Sequence, residues 1–473
     1  MQNNTNQTKG VKILLGDPKK AVFKLAIPII AANFIQTIYH LADAVWVAGL
    51  GSLALAAVGL FFPFFYISLA LSLGISIGGG SAISRKIGAH DQNGAGEVAL
   101  HTFILTTVLA IVFIVPLYLF IDKILASIGA GQALELAVIY AKIMIIGSVF
   151  LLFSNLCAAI LRAEGDSKRA MIALAIGTVL NIFLDPLFIY GFKLGVAGAA
   201  WATLLSMGIS LLIMANWLFF KKDTFIPIHI KTFVLKMNIL KDIFKVGLPA
   251  SVQHIAMSLS MFVLNIIVVN LAGPDGIAVL TTGWRVFMIG SMPIFGFAAA
   301  IVSLSGAAYG AKNIPKLKIS YLYAIKSAIL IELTAGVLLF TFAPYIVYIF
   351  TYTQNTAHIT SEIINFLRIT AFAYPALALG PISSSVFQGI GKGFNALIVT
   401  IVRSLILLIP LTLFFAYVLD LGLTGVWWGI VTANLTGASL SFLWTYTHIN
   451  KMLKKKSFEE KAVYQVLPDY NRD

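Results

Sequence analysis

The sequence predicts an all-α integral membrane protein of twelve transmembrane helices, arranged as two pseudo-symmetric six-helix lobes. Three observations carry this. Of the 473 residues, 59% are hydrophobic and only 11% charged, whereas soluble domains carry about 25% charged residues. The apolar residues gather into runs long enough for the ~20 helical residues that a bilayer crossing needs. Finally, the second half of the chain repeats landmarks of the first.

In order, the spans are expected near 21–49, 53–83, 98–121, 136–160, 169–191, 195–220, 243–272, 276–308, 319–350, 360–388, 395–419 and 422–449. The polar opening MQNNTNQTKG is not read as a signal peptide, because the first apolar run far exceeds a signal h-region. Basic residues then orient the bundle. Lys9, Lys12, Lys19 and Lys20 precede the first span. Arg85, Lys86, Arg162, Lys168, Arg169, Lys221, Lys222, Lys231, Lys236, Lys241, Lys312, Lys316, Lys318 and Lys392 fall in even-numbered connections. Lys451 and Lys454 to Lys456 follow the last span, whereas the odd-numbered connections hold only Lys123 and Lys193. The positive-inside rule therefore places both termini in the cytoplasm of a cell-membrane protein. The net charge of +14 is explained by orientation, so no nucleic-acid partner is expected. Cys157 is the only cysteine, which excludes an internal disulfide and a cysteine-based metal site.

FKLAIP (23–28) returns as FKVGLP (244–249), Gly88-Ala89 as Gly310-Ala311, and GVAGAAWA (195–202) as GLTGVWWG (422–429). The offset stays between 221 and 227 residues. This is the parallel-repeat plan of secondary transporters, with a substrate path between the halves. The expected division is an N-terminal lobe 1–220, a basic cytoplasmic linker 221–242, a C-terminal lobe 243–450 and a cytoplasmic tail 451–473.

Three acids interrupt the apolar runs: Asp43, Asp185 and Glu332. A carboxylate inside a membrane is costly and marks a candidate functional site, the plainer alternative being a structural acid held by a partner. Tyr39 precedes Asp43 by four residues and Asn181 precedes Asp185 by four, each on one helix face. Thr203 and Asn155 lie in neighbouring runs, and Asn33 and Gln36 extend the polar stripe of the first. The corresponding C-terminal positions hold Leu264, Asn265 and Leu411, so only one half carries the acids. Two carboxylates buried together can share a proton, and their titration belongs to the pair. With amide and hydroxyl oxygens beside them, Asp43, Asn181, Asp185 and Thr203 could equally ligate Na⁺. Pro186 and Pro28 remove helix hydrogen bonds and are expected hinges. Met207, Met257, Met261 and Gln253 are candidates for a tolerant substrate cavity, since methionine adapts to varied ligands. Glu332 is expected to pair with Lys326, Arg285 or Arg403. His40 and His254 are read as packing histidines.

GIGKG (389–393) lacks the P-loop spacing and the Ser or Thr after lysine. No HExxH or CxxC is present, and GGG (78–80) suits close helix packing. An ATP-driven pump or a metal enzyme is thus unsupported.

Asp43 in the first run, LRAEGD (161–166) after the fourth and NIFLDPLFIYG (181–191) in the fifth resemble the multidrug and toxic compound extrusion (MATE) family, most closely its DinF-like branch. The resemblance spans residues 20 to 450. It implies V-shaped lobes and antiport of cationic or amphipathic compounds against H⁺ or Na⁺, with no cofactor and with membrane lipids as surroundings. It also implies a monomer in which Asp43 and Asp185 are essential and Asn181, Thr203, Asn155 and Tyr39 surround them. The acids that the NorM-like branch carries in helices seven and ten are absent, since 250–262 and 373–385 contain none. Two other readings compete. A lipid-linked oligosaccharide or lipid flippase of related fold would want a cationic cavity, and a membrane-embedded lipid-modifying enzyme would want surface metal-binding acids.

Overall fold

In the computed structural model, residues 7–221, 223–227, 233–351 and 357–466 are described. Lys222 and Lys231 of the linker and the tail beyond 466 lie outside them. Helices are the only regular structure among the described residues. A short helix α1 (Lys9–Leu15) starts at Thr8, whose side chain accepts from the Val11 amide, and buries Val11 and Leu14. Asp17 caps α2 (Pro18–Ala48) in the same way through the Lys20 amide, satisfying a donor the first turn cannot. Then come α3 (Ser52–Gly88), α4 (Gln92–Ser127), α5 (Leu134–Ala163), α6 (Ser167–Pro186) and α7 (Gly195–Ala215). Asp91 and Asp166 cap α4 and α6.

The second half opens with α8 (Met237–Gly290), whose 54 residues would reach about 81 Å if straight, far beyond one crossing. Gly273, at φ 58° and ψ −148°, breaks it into two spans, the second continuing through α9 (Met292–Gly310). Next come α10 (Ile314–Thr351), α11 (Thr360–Ala371), α12 (Tyr374–Leu377), α13 (Leu379–Gly389), α14 (Gly393–Ile401), α15 (Leu408–Leu413) and α16 (Gly422–Val466). Residues 357–389 form one span bent by 53°. With that pair counted once, twelve spans are present, each at its expected place in the order. The chain is a multi-pass membrane protein.

Backbone geometry repeats with the sequence. Left-handed residues come in matched pairs: Gly51 and Gly273, His90 and Lys312, Gly165 and Gly391, Lys193 and Asp420, Gly195 and Gly422. The same turns therefore recur between the same spans of each half.

The two lobes meet at the end that carries the termini and the basic connections. Here α3 crosses α8 backbone to backbone: a Cβ on Gly78 would lie 2.5 Å from the Ile243 carbonyl oxygen and 3.0 Å from Gly247 Cα. Arg85 spans the seam, donating to Asp242 at 2.7 Å and to the Gly389 carbonyl at 3.1 Å. Ser81 donates to the Gln388 carbonyl at 2.5 Å. On α2, Leu25 and Ala26 are buried at this end, whereas Leu41 and Val45 at the other are 53% and 66% exposed. The lobes thus diverge from a closed, basic end into a V.

Candidate functional site

Within the N-terminal lobe, α2 brings Asp43 against the end of α6. Two features hold it there. The Tyr190 hydroxyl, just past α6, donates to the Trp46 carbonyl at 2.6 Å, and the Trp46 and Tyr190 rings meet edge-on. Pro186 ends the regular helix, and a wider turn follows over Leu187–Gly191. Because proline has no amide hydrogen, the Ile182 carbonyl is released one turn before the acid. Pro28 does the same for the Lys24 carbonyl, although α2 runs unbroken past it.

The carboxyls of Asp43 and Asp185 lie side by side. Two carboxyls can bond directly only when one of them donates a proton. Asp185 is fully buried and Asp43 half-buried. With its amide oriented to suit its neighbours, Asn181 donates to Asp185 Oδ2 at 3.0 Å and accepts from the Thr203 amide at 3.1 Å. Tyr39 lies beside the Thr203 side chain. Tyr39, Asp43, Asn181, Asp185 and Thr203 therefore form one connected polar group on α2, α6 and α7. Asn155 is elsewhere, donating to Ser72 at 3.0 Å between α5 and α3.

Tyr140 of α5, 8% exposed, also faces the two aspartates. Sequence reasoning did not select it. It lies in its own apolar run, with no polar neighbour at helical spacing to single it out. Met207 and Thr203 line one narrow crevice with Phe65, Met144 and Ser148. Asn33 is half-buried and Gln36 exposed on α2.

The remaining cavity candidates sit in the other lobe. Gln253 is buried beside the α3–α8 seam and accepts from Gln388 Nε2 at 3.1 Å, while its own amide nitrogen has no partner. Met257 is 41% exposed, and Met261 packs on the C-terminal core. Glu332 corrects an expectation. It is fully buried, and neither carboxyl oxygen has a partner, so Lys326, Arg285 and Arg403 do not pair with it. Lys326 sits six residues before Glu332 on the same helix α10, about 120° around it at 100° per residue, and the two arginines lie on other helices whose distance could not be read from spacing. Among the described residues no three His, Cys, Asp or Glu side chains cluster as metal ligands.

Below the site, outside the spans, the linker is strapped to the N-terminal lobe. Arg169 holds Asp223 with two bonds of 2.9 Å, Lys236 pairs with Glu97 at 2.7 Å, and the Phe225 amide donates to Glu164 at 2.9 Å. Burial pushes the Glu164 carboxyl up to about 8, against the opposing pull of that amide.

The MatE family model matches residues 28–187 and 249–414, one match in each half. The chain belongs to the MatE family. Its relatives include the multidrug export protein MepA of Staphylococcus aureus (strain MSSA476), 28% identical over 90% of this chain and 93% of that one. A MATE crystal structure in complex with MaL6 is 45% identical, covers 94% of this chain and all of that one, and has a TM-score of 0.92. A MOP superfamily transporter from Pyrococcus furiosus Vc1 is equally identical over 94% of this chain and 99% of its own, with a TM-score of 0.91. It is described as having a binding pocket of reverse polarity that suggests a different function. This MatE chain is a transporter rather than an enzyme.

Proposed function

We propose that this MatE transporter is a secondary active multidrug exporter. It exchanges cationic or amphipathic compounds for H⁺ or Na⁺ through the N-terminal carboxylate group. The observation that carries this reading is the close approach of Asp43 to Asp185, with Asn181, Thr203 and Tyr39 around them. The MepA relatives are multidrug export proteins. The V opens away from the basic end, which on the positive-inside rule makes this the outward-facing state with both termini cytoplasmic.

The chemistry follows from charge. Two ionised carboxylates about 3 Å apart would repel by roughly 5 kcal/mol at an effective dielectric of 20. A proton removes that repulsion, and so does a Na⁺ between the oxygens. Either ion arrives through the open cleft, halves the negative charge of the pair and weakens its attraction for a cationic substrate. Substrate leaves to the outside, and the ion-loaded lobe returns. The Ile182 and Lys24 carbonyls freed by proline let α6 and α2 adjust as the pair changes charge. Each ion drives the cycle only by the difference in its affinity for the two states.

The test uses protein in liposomes with ethidium on the basic side, under an imposed pH or Na⁺ gradient. Export by the wild type should follow one gradient and be lost in Asp43→Asn and Asp185→Asn. If those variants export normally, the pair is structural and the coupling reading is wrong.

A further inference from the structure

One cation in the cleft is left unused by this mechanism. Arg285 lies on α8, twelve residues past the Gly273 break. At 1.5 Å per residue this puts it about 18 Å along the span, at mid-depth of a bilayer core ~30 Å thick. It is exposed, and among the described residues it makes no hydrogen bond, ion pair or ring contact. An unpaired guanidinium at that depth is expensive and calls for a partner.

Its direction can be read from the helix. Val279, Leu280, Gly283, Val286 and Phe287 face the C-terminal core, with Gly283 against Phe366. Thr281, Arg285, Met288 and Ile289 form the opposite, exposed stripe. Continued toward the closed end, that stripe reaches Met292 and Gly296. Met292 accepts from Thr37 at 3.4 Å, and Gly296 abuts Ala26 and Ile30, all on α2 of the other lobe. Arg285 therefore faces the space between the lobes, two turns above the last contact. Seven residues beyond Thr37, about 10 Å further along α2, lies Ala44, at the same level. The wall there is exposed and mostly apolar, with Ile38, Leu41 and Val45 at 59%, 53% and 66% and the exposed His40 among them. Asp43 turns away, into its own lobe.

We propose that Arg285 recognises the anionic head of an amphiphile bound in the cleft, a phosphate head fitting its guanidinium fork best. The apolar face of α2 takes the chain. This deepens the export reading, since it names a substrate class for the same cleft, and it makes a cation-only substrate range disfavoured. A purely cationic drug meets a bare positive charge on one wall, while an anionic or zwitterionic amphiphile meets a complement on both.

The test measures binding of lysophosphatidylglycerol, glycerol phosphate and the cation rhodamine 6G to purified full-length protein in dodecyl maltoside. Wild type, Arg285→Gln, Arg285→Lys and Arg285→Glu are compared, each monodisperse by gel filtration. Arg285→Gln should raise the Kd for lysophosphatidylglycerol about tenfold, and Arg285→Lys should restore part of it. Arg285→Glu should weaken the anion further and tighten rhodamine 6G. Glycerol phosphate should compete only at far higher concentration. Unchanged anion binding in both neutral and reversed variants overturns the proposal, as do anion and cation affinities that move together. Glycerol phosphate competing as well as the lipid overturns the amphiphile and leaves a small-anion site. Failure of ethidium export in the wild type, with Arg285-dependent anion binding intact, would sink the export reading alone.

Discussion

Gly78→Ala should shift the balance between the two orientations of the lobes without unfolding the protein. The added methyl would sit 2.5 Å from the Ile243 carbonyl oxygen, where ordinary contact begins at 3.4 Å. Backbone cannot rotate out of the way as a side chain can, so α3 and α8 must part by about 0.9 Å. Overpacking of this kind costs roughly 1–3 kcal/mol, a factor of about 5–150 in a two-state equilibrium. The alanine also favours helix by about 1 kcal/mol over glycine, but that gain is present in either orientation and cancels from the balance. It does not cancel from unfolding. The expected signature is therefore a large conformational shift with little loss of thermal stability. Spin labels at Asn93→Cys and Ala311→Cys, both exposed and on opposite lobes at the closed end, report it in a Cys157→Ala background. Their distance distribution should move toward longer values at fixed pH. An unchanged distribution, or a shift matched by an equal loss of melting temperature, would refute the reasoning.

Arg85→Ala should open the same end by a different route. It removes the bonds to Asp242 and the Gly389 carbonyl, each charge-assisted bond contributing about 1.5–3 kcal/mol, and the same label pair should lengthen. Glu164 gives a pH prediction. Its carboxyl ordinarily titrates near 4.5 and is raised to about 8 in the fold. Its contribution to stability is therefore full below 4.5 and lost as pH rises through the window up to about 8. The melting temperature of the wild type should fall across that window more steeply than that of Glu164→Gln. Glu332→Gln loses no partner, because neither carboxyl oxygen has one, so its melting temperature should equal or exceed the wild type's, whereas loss of a buried bond would lower it.

Much of this architecture was legible in the sequence because membrane helices announce themselves locally. Twelve apolar runs and the repeat of FKLAIP as FKVGLP needed no knowledge of distant contacts. The Asn181–Asp185 bond was legible for the same reason, four residues being one turn. What failed was whatever depended on how one helix lies against another. Tyr140 comes near the aspartates from α5, and nothing in its own run says so. Asn155 had the right polarity, yet its partner is Ser72. Glu332 had three candidate cations in its half of the chain and touches none. The 53° bend between α11 and α12 was also invisible, since apolarity continues straight through it.

The matched left-handed residues have one more implication. Gly51 with Gly273, Gly165 with Gly391 and Lys193 with Asp420 set the angles at which successive spans leave their connections, and they do so alike in each half. The scaffold is thus indifferent to the cargo of side chains it holds. One copy supports a pair of acids, and the other supports uncharged residues at the same stations, Leu264 or Asn265 and Leu411, with an arginine on its cleft wall. Chemistry can be exchanged between such copies without redrawing the path of the chain. A transporter built this way can acquire a new ion or a new substrate by replacing a few side chains on an unaltered frame.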